Sequence, residues 1–468
     1  MKKESTNSTE VNLIYGVDDN LGIFKKILFG FQHIFAAFGG IIVVPLVIST
    51  ALGFDTKTTT ALISASILAS GLATVIQARG IGKVGSRVAC IMGTDFTFVS
   101  PAISVGSVLG IPGIIGATIL GSLFEIVLSF FIKPLMKFFP PLVTGTVVTL
   151  IGLTLLPVSI DWAAGGAGSA DYGNLKNILI AMFVLVITLI LNNYGKGMIS
   201  SASILLGIVI GYIVCIPMGL VDFTAIKEAS FFSFPKIFEF GVIFDLKSVI
   251  AFIPAYFVAT IGTVGCIKAI EETSNISGDD KRVAGGVLAD GVGSALGGIF
   301  GSCPNTSFTQ NIGIISLTKV ASRHVAVMAG ILLVILGFLP KISAIITAIP
   351  NPVLGGVGIM MFGTVAAAGI RTLSNVKLTE RNLLIIAISM GLGLGVTFRP
   401  EVISQLPEAL KMIFSSGIST GTITALILNI VLKDNSKKKE ILKDGQEDID
   451  KNNKCTEKNI NLELGELV

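Results

Sequence analysis

Long apolar blocks, separated by short polar or charged breaks, run through most of this chain. Blocks of roughly 17–25 apolar residues are long enough to cross a bilayer as helices. They fall near 27–50, 59–78, 113–132, 142–160, 176–193, 200–221, 247–267, 283–301, 324–347, 353–370, 382–398 and 411–432. Two further blocks, about 88–108 and 304–319, are short and interrupted by Gly, Pro and polar residues. Counting both predicts fourteen crossings, which puts the two termini on the same side. The expected fold class is an all-α polytopic membrane protein with 14 transmembrane segments.

Composition agrees with that pattern: 52% of the residues are hydrophobic and only 14% charged. A single soluble core is excluded. The leader before Ile27 holds both Lys and acidic residues, so no cleavable signal peptide is expected. The tail 433–468, with Lys437-Lys438-Lys439, is charged and expected to be disordered. Five cysteines without CxxC or Cys/His spacing predict free thiols and no metal site. With cytoplasmic ends, the inner loops hold Arg79, Lys83 and Arg87; Lys133 and Lys137; Lys196; Lys319 and Arg323; and Arg371, Lys377 and Arg381. The outer loops are poorer in Lys and Arg, which fits the positive-inside rule.

The most informative stretch is the second broken block, Asn305-Thr306-Ser307-Phe308-Thr309-Gln310-Asn311-Ile312-Gly313. Pro304 precedes it and forbids a continuous helix, so helical structure is expected to resume around Thr309. Non-helical backbone at membrane depth survives only where protein or a water-filled cavity satisfies it. A half-helix starting there aims its free N–H groups into that cavity. The first broken block carries a matching run: Thr94-Asp95-Phe96-Thr97 repeats as Thr306-Ser307-Phe308-Thr309 at an offset of 212, and Pro141, Gly145 and Gly152 recur as Pro352, Gly356 and Gly363 at an offset of 211. The two offsets suggest two inverted 7-segment repeats, about 24–222 and 246–432. Paired broken segments of that kind point to a transporter's site.

Within those segments Gln310 offers donors and an acceptor to a planar ligand, or bonds a neighbouring helix. Asn311 either packs or ties down the broken segment. Phe96 and Phe308 hold equivalent positions and are expected to face each other across the cavity. Asp95 is the costliest residue to place in lipid, so it should bind substrate, a cation or a proton; Asp290, in Ala289-Asp290-Gly291, raises the same options. Glu125 sits in an otherwise apolar helix, where it either serves function or only pairs with a neighbouring helix. His33, beside Gln32, is read as a hydrogen-bonding strut. No GxSxG, HExxH or phosphate loop is present, so an enzyme or ATP-driven pump is not expected and no cofactor is implied.

Gln310-Asn311-Ile312-Gly313 with Thr318-Lys319 resembles the signature of the nucleobase–ascorbate transporters, also called the nucleobase:cation symporter-2 family. Gln32-His33, Gly93-Thr94 with Phe96, and Ala289-Asp290-Gly291 resemble its accompanying motifs, and the likeness spans about 24–432. It implies short strands and half-helices in segments 3 and 10, a core of segments 1–4 and 8–11, and a gate of segments 5–7 and 12–14, within a homodimer in the cell (inner) membrane. It implies a nucleobase substrate, H⁺ (or Na⁺) as co-substrate and membrane lipid as surroundings, with no nucleic-acid partner. Members with Gln at the place of Gln310 resemble xanthine and urate carriers, whereas uracil carriers tend to have Glu. Gln310 and the backbone at Thr309 would hydrogen-bond the base and Phe96 would pack on it, beside Phe308. The family's eighth segment usually carries a pattern like Glu-Thr-Ile-Gly-Asp; this chain reads Ala259-Thr260-Ile261-Gly262-Thr263, so both carboxylates at the substrate-binding positions Ala259 and Thr263 are absent. Asp95 is the expected replacement acceptor. The reading is an importer of a purine nucleobase; the alternatives are a uracil permease, or an anion channel or exchanger of the same fold.

Overall fold

The computed structural model describes residues 12–132, 140–234 and 236–432. Lys133, Lys137, the first eleven residues and the charged tail from 433 onward lie outside the described residues. The chain is mostly helical. Its first part holds α1 (Ile23–Leu52), α2 (Thr56–Arg79), strand β1 (Met92–Thr94), a 3-10 turn (Phe96–Phe98), α3 (Val99–Ser129), α4 (Pro141–Ala163), α5 (Leu175–Tyr194) and α6 (Ser203–Cys215). The second part holds α7 (Leu246–Thr273), α8 (Asp280–Phe300), strand β2 (Asn305–Ser307), α9 (Gln310–Thr318), α10 (Arg323–Gly337), α11 (Pro340–Thr347), α12 (Asn351–Ser374), α13 (Glu380–Phe398) and α14 (Gly417–Val431).

Side-chain caps start several of these helices. Asp55 accepts from the Thr58 N–H at the head of α2, and Asp245 accepts from the Ser248 N–H at the head of α7. Hydrogen bonds from the Ser248 backbone hold the Asp245 carboxyl below its ordinary range.

Among the described residues nine helices are long and apolar enough to cross a membrane, or ten if the bent pair α10–α11 is one span. That is fewer than the fourteen crossings expected, for local reasons. The run 324–347 does not cross straight: α10 and α11 meet at an 80° bend just before Pro340. The expected segment 200–221 shrinks to α6, and 411–432 divides at Ser415-Ser416. The blocks 88–108 and 113–132 meet inside α3, where Gly110 breaks the helix at φ 65° and ψ −164°. Only glycine takes that geometry without strain.

Two bodies of helices emerge from the packing. In one, α2 packs on α10, α8 and α7 pack on α3, and α1 packs on α10. In the other, α4 packs on α12, α12 on α5, α5 on α6, and α13 on α14. Their seams are made by glycine, since lipid gives apolar side chains no hydrophobic drive to associate and close backbone contact must hold helices together. A Cβ at Gly71 would lie 2.6 Å from the Val334 nitrogen and 2.7 Å from the Gly330 oxygen. One at Gly152 would lie 2.3 Å from the Ala366 nitrogen.

The amino-terminal segment is not all tail. The Ile14 N–H donates to the Lys319 carbonyl at 2.8 Å, the Ala321 N–H to the Tyr15 carbonyl at 3.0 Å, and Arg323 Nε to Asp18 at 2.7 Å. Residues 14–19 thus strap the junction between α9 and α10.

The glycine seam yields a test. Gly71→Val forces α2 away from α10, and overpacking of this kind costs about 1–3 kcal/mol. A clear drop in the detergent melting temperature is expected; an unchanged melt would mean that the seam is not tight.

Candidate functional site

The strands of the two broken segments lie side by side. β1 pairs antiparallel with β2 in the register Met92↔Ser307, Gly93↔Thr306 and Thr94↔Asn305. The offset of 212 carries 92–94 onto 304–306, one residue from β2. A two-stranded ribbon leaves its outer edges unpaired, and nothing apolar can satisfy them. Side chains of neighbouring helices do so instead. Thr74 of α2 accepts from the Met92 N–H at 2.9 Å, and Ser294 of α8 accepts from the Asn305 N–H at 3.0 Å. Thr94 Oγ1 in turn donates to the Ile41 carbonyl of α1 at 3.0 Å.

Beneath the ribbon lies a buried polar knot centred on Asp290. Its carboxylate accepts from Ser307 Oγ at 3.0 Å, from Thr306 Oγ1 at 3.3 Å, from Gln77 Nε2 at 3.4 Å and from Thr263 Oγ1. Gln77 also donates to Ser307 Oγ at 3.0 Å and to the Gly286 carbonyl at 3.2 Å, and accepts from the Ser86 N–H at 2.9 Å. Asp290, Thr263 and Gln77 are all 0% exposed. Asp290 and Thr263 are therefore structural neighbours of the ribbon rather than open contact points. Ala259 is buried too.

The two half-helices end differently. Asp95, half-buried, caps its own 3-10 turn: Oδ1 accepts from the Thr97 N–H and the Thr97 hydroxyl, each at 3.0 Å. At the head of α9 no side chain caps the helix, and Thr309 and Gln310 are exposed. That leaves a positive helix end with free N–H groups beside the Gln310 amide. Asn311, one residue on, is buried and donates to His33 Nδ1 and to the His33 carbonyl, both at 3.0 Å. The carbonyl can only accept, so the amide nitrogen faces His33 and Nδ1 is an acceptor; the ring is neutral with its proton on Nε2. His33 is a strut.

Phe96 and Phe308 are both buried, with different partners. Phe96 packs edge-to-face on Phe362 of α12, with centroids 5.5 Å apart. Phe308 fills a slot against Gly40 and Gly93, where added Cβ atoms would meet its ring at 3.0 Å and 2.6 Å. On α7 and α9, which pack together, Gly262, Gly265 and Gly313 are exposed with open space over them. A cavity of about 690 Å³ lies elsewhere, at the Thr56 end of α2, among Lys57, Ser64, Asp222, Glu239 and Phe300. None of the site residues lines it.

Residues 24–402 match a family model described as "Permease family", the xanthine and uric acid permease model. The chain belongs to the nucleobase–ascorbate transporter family. The permease is 85% identical over 434 residues to CPE0397 of Clostridium perfringens (strain 13 / Type A), proposed by its name as a purine permease; the match covers 93% of this chain and 96% of that one. It is 40% identical to the xanthine permease of Bacillus subtilis (strain 168) over 90% of this chain and 96% of that one. It is 38% identical to the uric acid transporter UacT of Escherichia coli (strain K12) over 93% of this chain and 91% of that one. Among solved structures it resembles the transmembrane domain of a cyanobacterium bicarbonate transporter, BicA, with a TM-score of 0.55 at 14% identity, covering 89% of this chain and 99% of that one. It also resembles SLC26A9, with a TM-score of 0.61 at 11% identity, covering 87% of this chain and 65% of that one. These two likenesses concern the fold alone. The permease is a transporter, not an enzyme.

Gln77, the hub of the knot, was not singled out by the sequence reading. A Gln near the end of an apolar span was its one visible signal. Asp290→Ala would strand the Thr263, Thr306 and Ser307 hydroxyls and the Gln77 amide inside the permease. Leaving a buried polar group without its partner costs about 1–3 kcal/mol. Thermal melting of the purified variant is expected to fall sharply, and a wild-type melt would contradict the knot's structural role.

Proposed function

We propose that this permease is a secondary active transporter that imports a purine nucleobase, xanthine or urate, coupled to H⁺. The observation that carries this reading is the uncapped head of α9, with exposed Thr309 and Gln310 held in place by the Asn311–His33 pair. The oxo groups of a purinedione suit free N–H donors, and its ring N–H groups suit the Gln310 carbonyl. Asp95 supplies a further acceptor for a base N–H, in place of the carboxylates missing at Ala259 and Thr263. Phe96 packs on the flat base and Phe308 fixes the ribbon beside it. The names of the B. subtilis and E. coli relatives support the purine choice.

Transport proceeds by alternating access in the cell membrane, with both termini cytoplasmic. Segments 1–4 and 8–11 of a fourteen-segment inverted repeat form the core, and segments 5–7 and 12–14 form the gate. The core, carrying both half-helices, moves past the gate, and ligand binding biases the two states. Arg79, Lys83, Arg87, Lys319 and Arg323 mark the cytoplasmic side. The lightly buried α5 and α13 are left for lipid or for a second copy in a homodimer.

Uptake of labelled xanthine into proteoliposomes, with an imposed proton or sodium gradient, tests the reading. Unlabelled urate should compete and uracil should not; competition by uracil alone would favour the pyrimidine reading. Chloride or sulfate flux without nucleobase uptake would favour the anion exchanger. Gln310→Ala should raise the half-saturation concentration by roughly tenfold to a hundredfold, the worth of a lost buried hydrogen-bond pair. Asp95→Asn should lose most uptake, and near-normal uptake in that variant would remove Asp95 as the replacement acceptor.

A further inference from the structure

Glu125 lies in the second half of α3 and is 0% exposed. Thr260 Oγ1 of α7 donates to its Oε1 at 3.3 Å. Its other oxygen, Oε2, is buried without a hydrogen-bond partner among the described residues. The charges it senses are those of Asp290 on α8 and Asp95 ahead of the 3-10 turn. The titratable group facing it from α7 is the Tyr256 phenol, whose hydroxyl donates to the Thr118 carbonyl at 2.7 Å. Glu125 is not a member of the ion pairs seen among the described residues, such as Arg282 with Glu271 and Arg323 with Asp18. The one intramembrane His, His33, is engaged with Asn311.

Two sealed acids therefore sit near each other with different hydrogen-bond shells. Asp290 receives four donors and is fully engaged, the arrangement that holds a carboxylate still. Glu125 receives one donor and has an oxygen to spare. An ionised Glu125 would be a negative charge in the membrane interior with acidic neighbours and, among the described residues, no cation paired with it, which is strongly unfavourable. Burial away from water therefore favours the neutral acid over the carboxylate at Glu125.

We infer that Glu125 is the group that takes up and releases the coupling proton in this permease. The inference rests on the proposed H⁺-coupled transport and names its carrier. Glu125 binds one proton from water when the α3–α7 seam opens towards one side, and returns one proton to water when it opens towards the other. Only the O–H bond at the carboxyl group is made and broken. The neutral acid lets the seam close, and the carboxylate requires it to be wet. The seam is well placed to sense the substrate: Thr260, which holds Glu125, is three residues from Thr263, which touches both Asp290 and Thr306 of the ribbon.

The test uses the purified full chain in proteoliposomes, with labelled xanthine. Glu125→Gln keeps shape and size but cannot ionise. It is expected to keep xanthine-for-xanthine exchange, to lose accumulation driven by a proton gradient, and to lose the pH dependence of uptake. Thr260→Val keeps the carboxyl group and removes its donor; it is expected to keep accumulation while the pH profile moves to higher pH, because the carboxylate has lost its stabilising hydroxyl. Gradient-driven accumulation by Glu125→Gln at the wild-type level overturns the inference, and so does an unmoved profile in Thr260→Val. A wild-type permease that neither exchanges nor accumulates xanthine or urate overturns the transport reading, and this inference with it. Wild-type transport with normal coupling in Glu125→Gln overturns this inference alone.

Discussion

Backbone amides left unpaired in the interior of a membrane set the terms for this structure. Two stretches of chain refuse to be helical there, one before the 3-10 turn and one after Pro304. Each satisfies half its groups by pairing with the other, strand to strand. On the outer edges the hydroxyls of Thr74 on α2 and Ser294 on α8 accept from ribbon N–H groups, while the ribbon's own Thr94 and Asn305 side chains donate to backbone carbonyls of α1 and α8. Once those helices are committed to the ribbon, their neighbours are constrained as well. Gln77 reaches from α2 across to α8, and Thr263 brings α7 to the same place. A requirement that begins as a few hydrogen bonds thus draws four helices, α1, α2, α7 and α8, around one spot.

The ribbon also delivers two helix ends to that spot, and their difference has chemical consequences. A helix start carries partial positive charge, and two of them facing a small chamber would favour a divalent or strongly anionic guest. Here one end is quenched by its own Asp95, through two bonds to Thr97. The other stays open beside an amide. That combination suits a neutral, polar, flat molecule with mixed donors and acceptors better than a bare inorganic anion. Shared folds with a bicarbonate transporter and SLC26A9 need not mean shared guests, since function lives in the site grafted on the fold.

Much of this was legible in the sequence, and the reasons are particular. Pro304 followed by a polar run announced non-helical backbone, and the Thr-x-Phe-Thr match located its partner more than two hundred residues away. Span counting was less faithful, because hydropathy registers length and apolarity but not bending. It could not see the 80° turn before Pro340 or the short reach of α6. Gly110 was one glycine among 53, and nothing local distinguished the one that would take a positive φ. Long-range pairings were the least visible. Gln77 with Asp290, Glu125 with Thr260 and Tyr15 with Val320 join residues that no periodicity connects. Phe96 and Phe308, equivalent by sequence, pack on different partners, Phe362 and the slot at Gly40 and Gly93, and no periodicity names those partners.

The packing bears on how such a site can move. Within each body of helices the seams are glycine against backbone, as at Gly71 with Gly330 and Gly152 with Ala366. Close-packed contacts of that kind have one arrangement and resist sliding. Between the bodies, contacts include the edge-to-face pair of Phe96 on Phe362 and the close approach of Gly39 on α1 to Ile204 on α6, while the neighbouring α7 and α9 expose glycines to open space. An aromatic pair is worth about 0.5–1.5 kcal/mol beyond its buried area. The stiff seams fix each body of helices within itself, and the open glycines of α7 and α9 leave room beside the head of α9.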